Sequence, residues 1–295
     1  MAQVPQPTSA FQVALQALSL PTAWRTLGPA PVVAAMLLIL IVIAVILAPL
    51  YVPHNPLSMD SASRLQPSGS EHWIGTDAYG RDLFSRVVTG GQVSLLIGIG
   101  AAVTSVIIGL FIGLVAGFFR WADGIIMRIM DSLMAIPAIL LAIALVSLVG
   151  PSVMSVIVAI TIPEVPRVVR LVRSVVLSAR EEPYIEAALA LGSSMPKILW
   201  QHLMPNTIAP LIVQGTYICA SAILIEAILS FLGAGVSTEI PTWGNIMAEG
   251  RDYFRVNPGL IFWPGLMLSL CILSINLLGD TARDVLDPRL KKRES

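Results

Sequence analysis

Long apolar stretches separated by short polar ones run through most of the chain, and their lengths predict membrane-spanning helices. A helix needs about 20 apolar residues to cross the ~30 Å hydrocarbon core of a bilayer. The region between Asp131 and Glu164 has 32 residues without a charge, which fits either one overlong helix or two spans interrupted at Gly150-Pro151. The pattern predicts an all-α protein that crosses a membrane several times.

The positions of the basic residues choose between these two alternatives. Arg120 and Arg128 precede the long apolar region, and Arg167 to Arg180 follow it. The positive-inside rule places both basic clusters in the cytoplasm, so an even number of crossings must separate them. We therefore predict six spans with both termini in the cytoplasm, at residues 31–52, 93–119, 125–149, 152–172, 207–231 and 259–279.

Composition agrees with a membrane protein and excludes several other classes. The chain has 295 residues, of which 56% are hydrophobic and 12% charged, whereas soluble domains carry about 25% charged residues. The formal net charge is zero, so nothing indicates a nucleic-acid partner. Cys219 and Cys271 lie in apolar stretches without C-x-x-C spacing, which favours packing residues over a disulfide or a metal site.

The predicted spans divide the chain into five regions. Residues 1–30 form an N-terminal tail with one charge, and residues 31–52 form an anchor that is longer than the apolar core of a secretory signal. A polar outer loop at 53–91 leads into a transmembrane domain at 92–281. Residues 282–295 form a cytoplasmic C-terminal tail.

One polar segment, residues 181–205, interrupts the membrane pattern on the cytoplasmic side. Pro183 suits the first turn of a helix, where its missing N–H costs nothing, and Glu181 and Glu182 favour a helix N-terminus. Gly192 ends that helix, and a second one begins near Pro196. The segment thus predicts a short helix, a sharp turn and a second helix outside the bilayer.

This segment resembles the EAA loop of permease subunits of binding-protein-dependent ABC importers. The matching residues are Glu186, Ala187, Ala188, Gly192, Leu203 and Pro205. In that family the loop is the cytoplasmic coupling helix, which docks on the ATP-hydrolysing subunit. The resemblance implies the same coupling role here, and residues 181–205 are called the EAA segment below.

Further motifs resemble the dipeptide, oligopeptide and nickel branch of the family. They are Gly75-Thr76-Asp77, Gly80-Arg81-Asp82 and Ser85-Arg86 in the outer loop, Leu229 to Gly235, Pro241 to Gly244 and Glu249-Gly250-Arg251 before the last span, and Asn276 to Arg289 at the end. A simpler interpretation of the first group is a solvated loop in which Arg81 and Asp82 satisfy local turns. The resemblance implies a type I importer permease core in spans two to six, preceded by an extra N-terminal span.

The resemblance also implies the partners. They are a homologous second permease, two ABC ATPase subunits, an extracytoplasmic substrate-binding protein and membrane lipid, all at the bacterial inner membrane. The chain has no G-x-x-x-x-G-K-[ST] phosphate loop, so we expect the partner ATPases to bind ATP and Mg²⁺. This chain is then not an enzyme and needs no cofactor or metal of its own.

Two groups of residues within the spans carry further hypotheses. Gly109, Gly113 and Gly117 recur every four residues and predict a face where another helix approaches closely. Gln214, Tyr217, Ser221 and Glu226 in span five offer hydrogen-bonding groups to a translocation path, although interhelical bonding explains them equally simply. An acid within a span is a candidate for function by default.

The sequence ranks the possible cargoes and mechanisms. Short peptides are favoured over a nickel species because the predicted spans hold no histidine, but nickel chelates, glutathione or another small solute stay open. A secondary transporter could use Glu226 as a proton carrier, which would leave the EAA segment unexplained. An intramembrane enzyme would need a nucleophile with a base or a metal motif, and none is visible. Glu164 and Arg167 indicate an ion pair near the cytoplasmic surface.

Overall fold

A computed structural model describes residues 28–286, where regular secondary structure is helical apart from one isolated bridge between Thr76 and Asp82. A π-helix, Ile198–Leu203, and two short 3₁₀-helices complete the elements. The α-helices of the described residues are α1 (Pro29–Tyr51), α2 (Leu83–Phe118), α3 (Arg120–Met134), α4 (Ala138–Val149), α5 (Val153–Ala179), α6 (Pro183–Ala190), α7 (Met195–Lys197), α8 (Met204–Phe231), α9 (Trp243–Gly250) and α10 (Gly259–Leu286).

Four stretches are long and apolar enough to cross a membrane: α1, α2, the continuous helical stretch Met195–Phe231 that contains α8, and α10. The pair α3 and α4 makes a fifth candidate if it counts as one broken span. Helix α5 has 27 residues but carries Glu164, Arg167, Arg170 and Arg173. Six crossings stay a prediction that these lengths and compositions do not test.

The predicted third span, residues 125–149, is wrong as a continuous helix. The chain bends by 87° between α3 and α4. Pro137 lies at the break; it has no N–H to continue the helix, and it disfavours the helical conformation for Ile136. Helix α3 buries only Ala122 and Met130 within the described residues, so most of its surface is left to membrane or partners.

Other helices extend beyond the predicted spans. Helix α2 begins at Leu83, ten residues before the predicted 93, because the Asp82 carboxylate accepts a hydrogen bond from the Ser85 N–H at 2.8 Å and caps it. Helix α10 continues to Leu286, past the predicted end of span six at 279 and the predicted end of the transmembrane domain at 281. Most of the predicted tails, at 1–27 and 287–295, lie outside the described residues.

Helices α2 and α5 pack in parallel at the centre of the fold. The hydroxyls of Thr104 and Thr161 lie 2.7 Å apart. Further along both helices, Gly117 faces Val176, so the contacts advance in the same direction on each chain segment. Because α2 and α5 run the same way, α3 and α4 must return the chain to the end at which α2 began, as the prediction from basic residues requires.

Candidate functional site

The EAA segment forms α6 on the surface of the chain. Pro183 lies at the start of the helix and Glu186 in its first turn. Glu186 and Ala187 are exposed, and Ala188 is partly exposed. These three side chains are therefore free to contact another protein.

A tight turn ends α6, as the sequence predicts. Gly192 has φ +76°, in the left-handed region. The Gly192 N–H donates to the Leu189 carbonyl and the Ser193 N–H to the Ala188 carbonyl, each at 3.0 Å, which is the Schellman pattern of helix ends. A side chain at Gly192 would meet nothing within 4 Å, so glycine is favoured here by the backbone conformation rather than by space.

One buried side chain anchors α6 to the rest of the fold. Ile185 is fully buried in a cluster that includes Val176 at the end of α5, together with Ile198 and Leu203. In contrast, Leu191 is 85% exposed. Helix α6 is thus held by its inner face, and its outer face projects from the chain.

The stretch after the turn differs from the sequence prediction of a regular exit helix. Residues Ile198–Leu203 form a π-helix, in which the Met204 N–H donates to the Leu199 carbonyl. Pro205, at the start of α8, has no N–H to offer to the preceding turn. The motif proline therefore stands beside a widened turn, and π-helical turns are frequent at functional sites.

The three predicted packing glycines lie against three valines of α5. Gly109 faces Val168, and a Cβ added to Gly113 would stand 2.6 Å from Cβ of Val172. The same distance separates a Cβ on Gly117 from Cβ of Val176. The four-residue period of both helices thus brings their backbones close over about two turns.

The four candidate path residues of span five do not lie together in the structure: three are at least partly exposed and one is buried. Gln214, Tyr217 and Ser221 lie on one face of α8 at intervals of three and four residues and are at least partly exposed. Glu226 is fully buried, and it accepts hydrogen bonds from Ser230 at 2.8 Å and from Ser94 of α2 at 3.3 Å. Glu226 therefore bonds α8 to α2 within this chain, away from the other three.

The outer-loop motif is buried rather than solvated, which corrects the simpler interpretation. Arg81 Nε lies 2.6 Å from Asp77 Oδ2, and Arg81 Nη2 lies 2.6 Å from Glu249 Oε2. Arg86 Nη1 contacts both acids, with 2.7 Å to Glu249. Two cations and two anions thus balance in a closed cluster, which sequence reasoning missed because Glu249 belongs to a separate motif.

A second polar group lies beside this cluster. His72 Nδ1 lies 2.9 Å from Asp82 Oδ1, while the other oxygen of Asp82 caps α2. His54 stacks near His72 with 4.8 Å between ring centroids, and one possible ligand atom from each of the three residues lies within 4.8 Å of the others. The histidine–carboxylate hydrogen bond and the helix cap explain this group without a metal.

Residues 105–292 match the family described as binding-protein-dependent transport system inner membrane component. The chain belongs to this family. It is 51% identical over 83% of its length to a probable peptide ABC transporter permease of Sinorhizobium fredii, covering 84% of that protein. It is 41% identical over 85% of its length to a dipeptide transport system permease of Alkalihalophilus pseudofirmus, covering 83% of that protein.

The fold likeness extends to a solved structure. A chain of the MetNI methionine ABC transporter, solved in inward facing conformations, superposes with a TM-score of 0.55 at 22% identity, covering 69% of this chain and 97% of the other. The protein is therefore an ABC importer permease with the type I fold. It is a multi-pass component of the inner membrane and not the catalytic subunit of its transporter.

Proposed function

We propose that this permease passes short peptides across the inner membrane, driven by ATP that partner subunits hydrolyse. The observation that carries the cargo is the similarity over more than four fifths of the chain to permeases named for peptides and dipeptides. The hydrogen-bonding side chains on the exposed face of α8, at Gln214, Tyr217 and Ser221, suit a peptide main chain.

The working assembly that we propose contains five kinds of component. Beside this chain stand a homologous second permease, two ATPase subunits that bind ATP and Mg²⁺, an extracytoplasmic binding protein and the lipid bilayer. Helix α6 docks on an ATPase through Glu186, Ala187 and Ala188, and both termini of this chain lie in the cytoplasm. The parallel course of α2 and α5 supports this orientation because it places Arg120 and Arg180 at one end.

Transport in proteoliposomes tests the cargo. The four protein components are reconstituted with ATP inside the vesicles, and the binding protein is loaded with a labelled di- or tripeptide or with Ni²⁺. We expect ATP-dependent peptide uptake that stops when ATP is replaced by ADP. Uptake of nickel without uptake of any peptide would overturn the peptide assignment while leaving the permease family intact.

A further inference from the structure

The helix packing places the ion pair Glu164–Arg167 at a level that the sequence did not predict. Val168, next to Arg167, packs against Gly109 of α2. Gly109 stands ten residues, or about 15 Å along the helix axis, from Phe119, where the apolar stretch of α2 ends. Since half of the hydrocarbon core is also about 15 Å, the pair lies near the middle of the bilayer and not at its cytoplasmic surface.

The pair is only half enclosed by its own chain. Glu164 is fully buried, whereas the Arg167 side chain is 42% exposed, and one nitrogen, Nη1, lies 2.8 Å from Glu164 Oε1. The second carboxylate oxygen, Glu164 Oε2, is buried without a hydrogen-bond partner in the described residues. A guanidinium has five N–H donors, so Arg167 keeps several of them for a group outside this chain.

Contact with lipid would be energetically unfavourable for the exposed part of the Arg167 side chain. A charged side chain at the bilayer centre is costly and nearly always faces a protein interior or a water-filled cavity. Two more arginines follow at intervals of three residues toward the cytoplasmic end of α5, and each is paired with an acid of α3. The pairs are Asp131–Arg170 at 2.6 Å and Asp123–Arg173 at 2.5 Å. A polar stripe thus descends from mid-membrane to the cytoplasm.

We propose that this stripe lines the inner half of the passage, and that Arg167 binds the C-terminal carboxylate of the peptide cargo while Glu164 positions the guanidinium. A planar guanidinium matches a carboxylate in a two-point contact, and every unmodified peptide carries one at its end. This inference rests on the proposed function. It moves the centre of recognition from α8, where the sequence predicted it, to α5.

Peptide pairs that differ only at the C-terminus test the carboxylate. In the complete reconstituted importer, uptake of a tripeptide with a free carboxylate is compared with uptake of its C-terminal amide, each at saturation of the binding protein. Arg167→Gln should lower uptake of the acid about tenfold, as expected for loss of a charge-assisted hydrogen bond, and uptake of the amide less than twofold. Arg167→Lys should retain part of the preference, and Arg251→Gln, at an exposed arginine of the outer region, should change neither.

The outcomes separate the two proposals. If the wild-type importer takes up neither peptide, the proposed cargo is wrong. If it takes up peptide but Arg167→Gln lowers acid and amide equally, or leaves uptake of the acid unchanged, the role of Arg167 is overturned.

Thiol labelling tests the location independently of transport. In a chain with Cys219→Ala and Cys271→Ala, which removes the free thiols, Arg167→Cys should react with a water-soluble anionic thiol reagent in the assembled importer, and peptide-loaded binding protein should slow the reaction. Leu40→Cys, on the exposed face of α1, is the lipid-facing control and should not react. Absence of reaction at position 167 would show that this position is closed to water, and the proposal would fall.

Discussion

Nη2 of Arg81 lies 2.6 Å from Oε2 of Glu249, although 168 residues separate them in sequence. This contact joins the loop before α2 to the helix before the last span, so the two outer segments form one structure. Arg86 and Asp77 complete the cluster.

Removing one charge from this cluster should strongly destabilise the importer. Arg81→Gln leaves Asp77 and Glu249 with one cation, and breaking a buried pair costs about 3–5 kcal/mol. We expect a lower melting temperature of the purified importer, measured by thermal unfolding in detergent. Glu239→Gln, at an exposed acid of the same region, serves as the control. An unchanged melting temperature in Arg81→Gln would show that the cluster is structurally dispensable.

The contact between Gly113 and Val172 predicts a size-dependent defect. Gly113→Ala brings a methyl group to 2.6 Å from Cβ of Val172, and overpacking of this kind costs about 1–3 kcal/mol. Adding Val172→Gly should restore part of the yield of assembled complex, because it removes the Cβ atom that the new methyl group would meet. Gly124→Ala, where a Cβ meets nothing within 4 Å, should be harmless. If the loss of yield in the double variant equals the sum of the losses in the two single variants, the two residues are not in contact.

Gly192 predicts a defect in coupling rather than in cargo binding. Gly192→Leu forces a branched side chain into a left-handed backbone and should redirect the chain after α6. Gly192→Asn should be milder, since asparagine tolerates that conformation. The measurement is ATP hydrolysis stimulated by loaded binding protein, and Glu186→Lys should lower it as well. Full stimulation in both Gly192→Leu and Glu186→Lys would remove the coupling role from α6.

Glu226 is expected to act as a hydrogen-bonding residue and not as a proton carrier. Glu226→Gln keeps an acceptor for one of the two hydroxyls, Ser94 or Ser230, and offers an N–H to the oxygen of the other, so uptake should stay within about twofold. Glu226→Leu leaves both hydroxyls without their acceptor and should cost about 1–3 kcal/mol. ATP-driven uptake and thermal stability are the readouts. Loss of uptake in a stable Glu226→Gln importer, together with dependence on a proton gradient, would favour a secondary transporter.

Side-specific labelling checks the orientation. In the background lacking Cys219 and Cys271, Pro151→Cys in the exposed turn between α4 and α5 should react from outside sealed vesicles, and Ser194→Cys only after the cytoplasmic side is opened. We choose Pro151 rather than the neighbouring Ser152, because the Ser152 side chain caps α5. Reaction of Pro151→Cys from the cytoplasmic side alone would make the six-span topology wrong.

Local rules predicted much of this protein. The apolar lengths predicted α1, α8 and α10, and the chemistry of Pro183 and Gly192 predicted α6 and its turn. The sequence could not place Glu249 beside Arg81, because no periodicity links distant segments. The sequence also could not predict the depth of Arg167 in the membrane. That depth follows from the contact of Gly109 with Val168.

The length of α2 has a mechanical consequence. Its 36 residues span about 54 Å, so with Phe119 at the inner edge of a ~30 Å hydrocarbon core its outer end extends well beyond the opposite edge. Its inner end meshes with α5, which leads into α6 within three residues, and its outer end carries Arg86. A displacement of α6 would therefore move α5 and α2, and with α2 the outer cluster. Binding of a partner at the outer cluster would displace α6 through the same helices. Because such coupling is reciprocal, the factor by which loaded binding protein changes the importer's affinity for nucleotide should equal the factor by which nucleotide changes its affinity for binding protein.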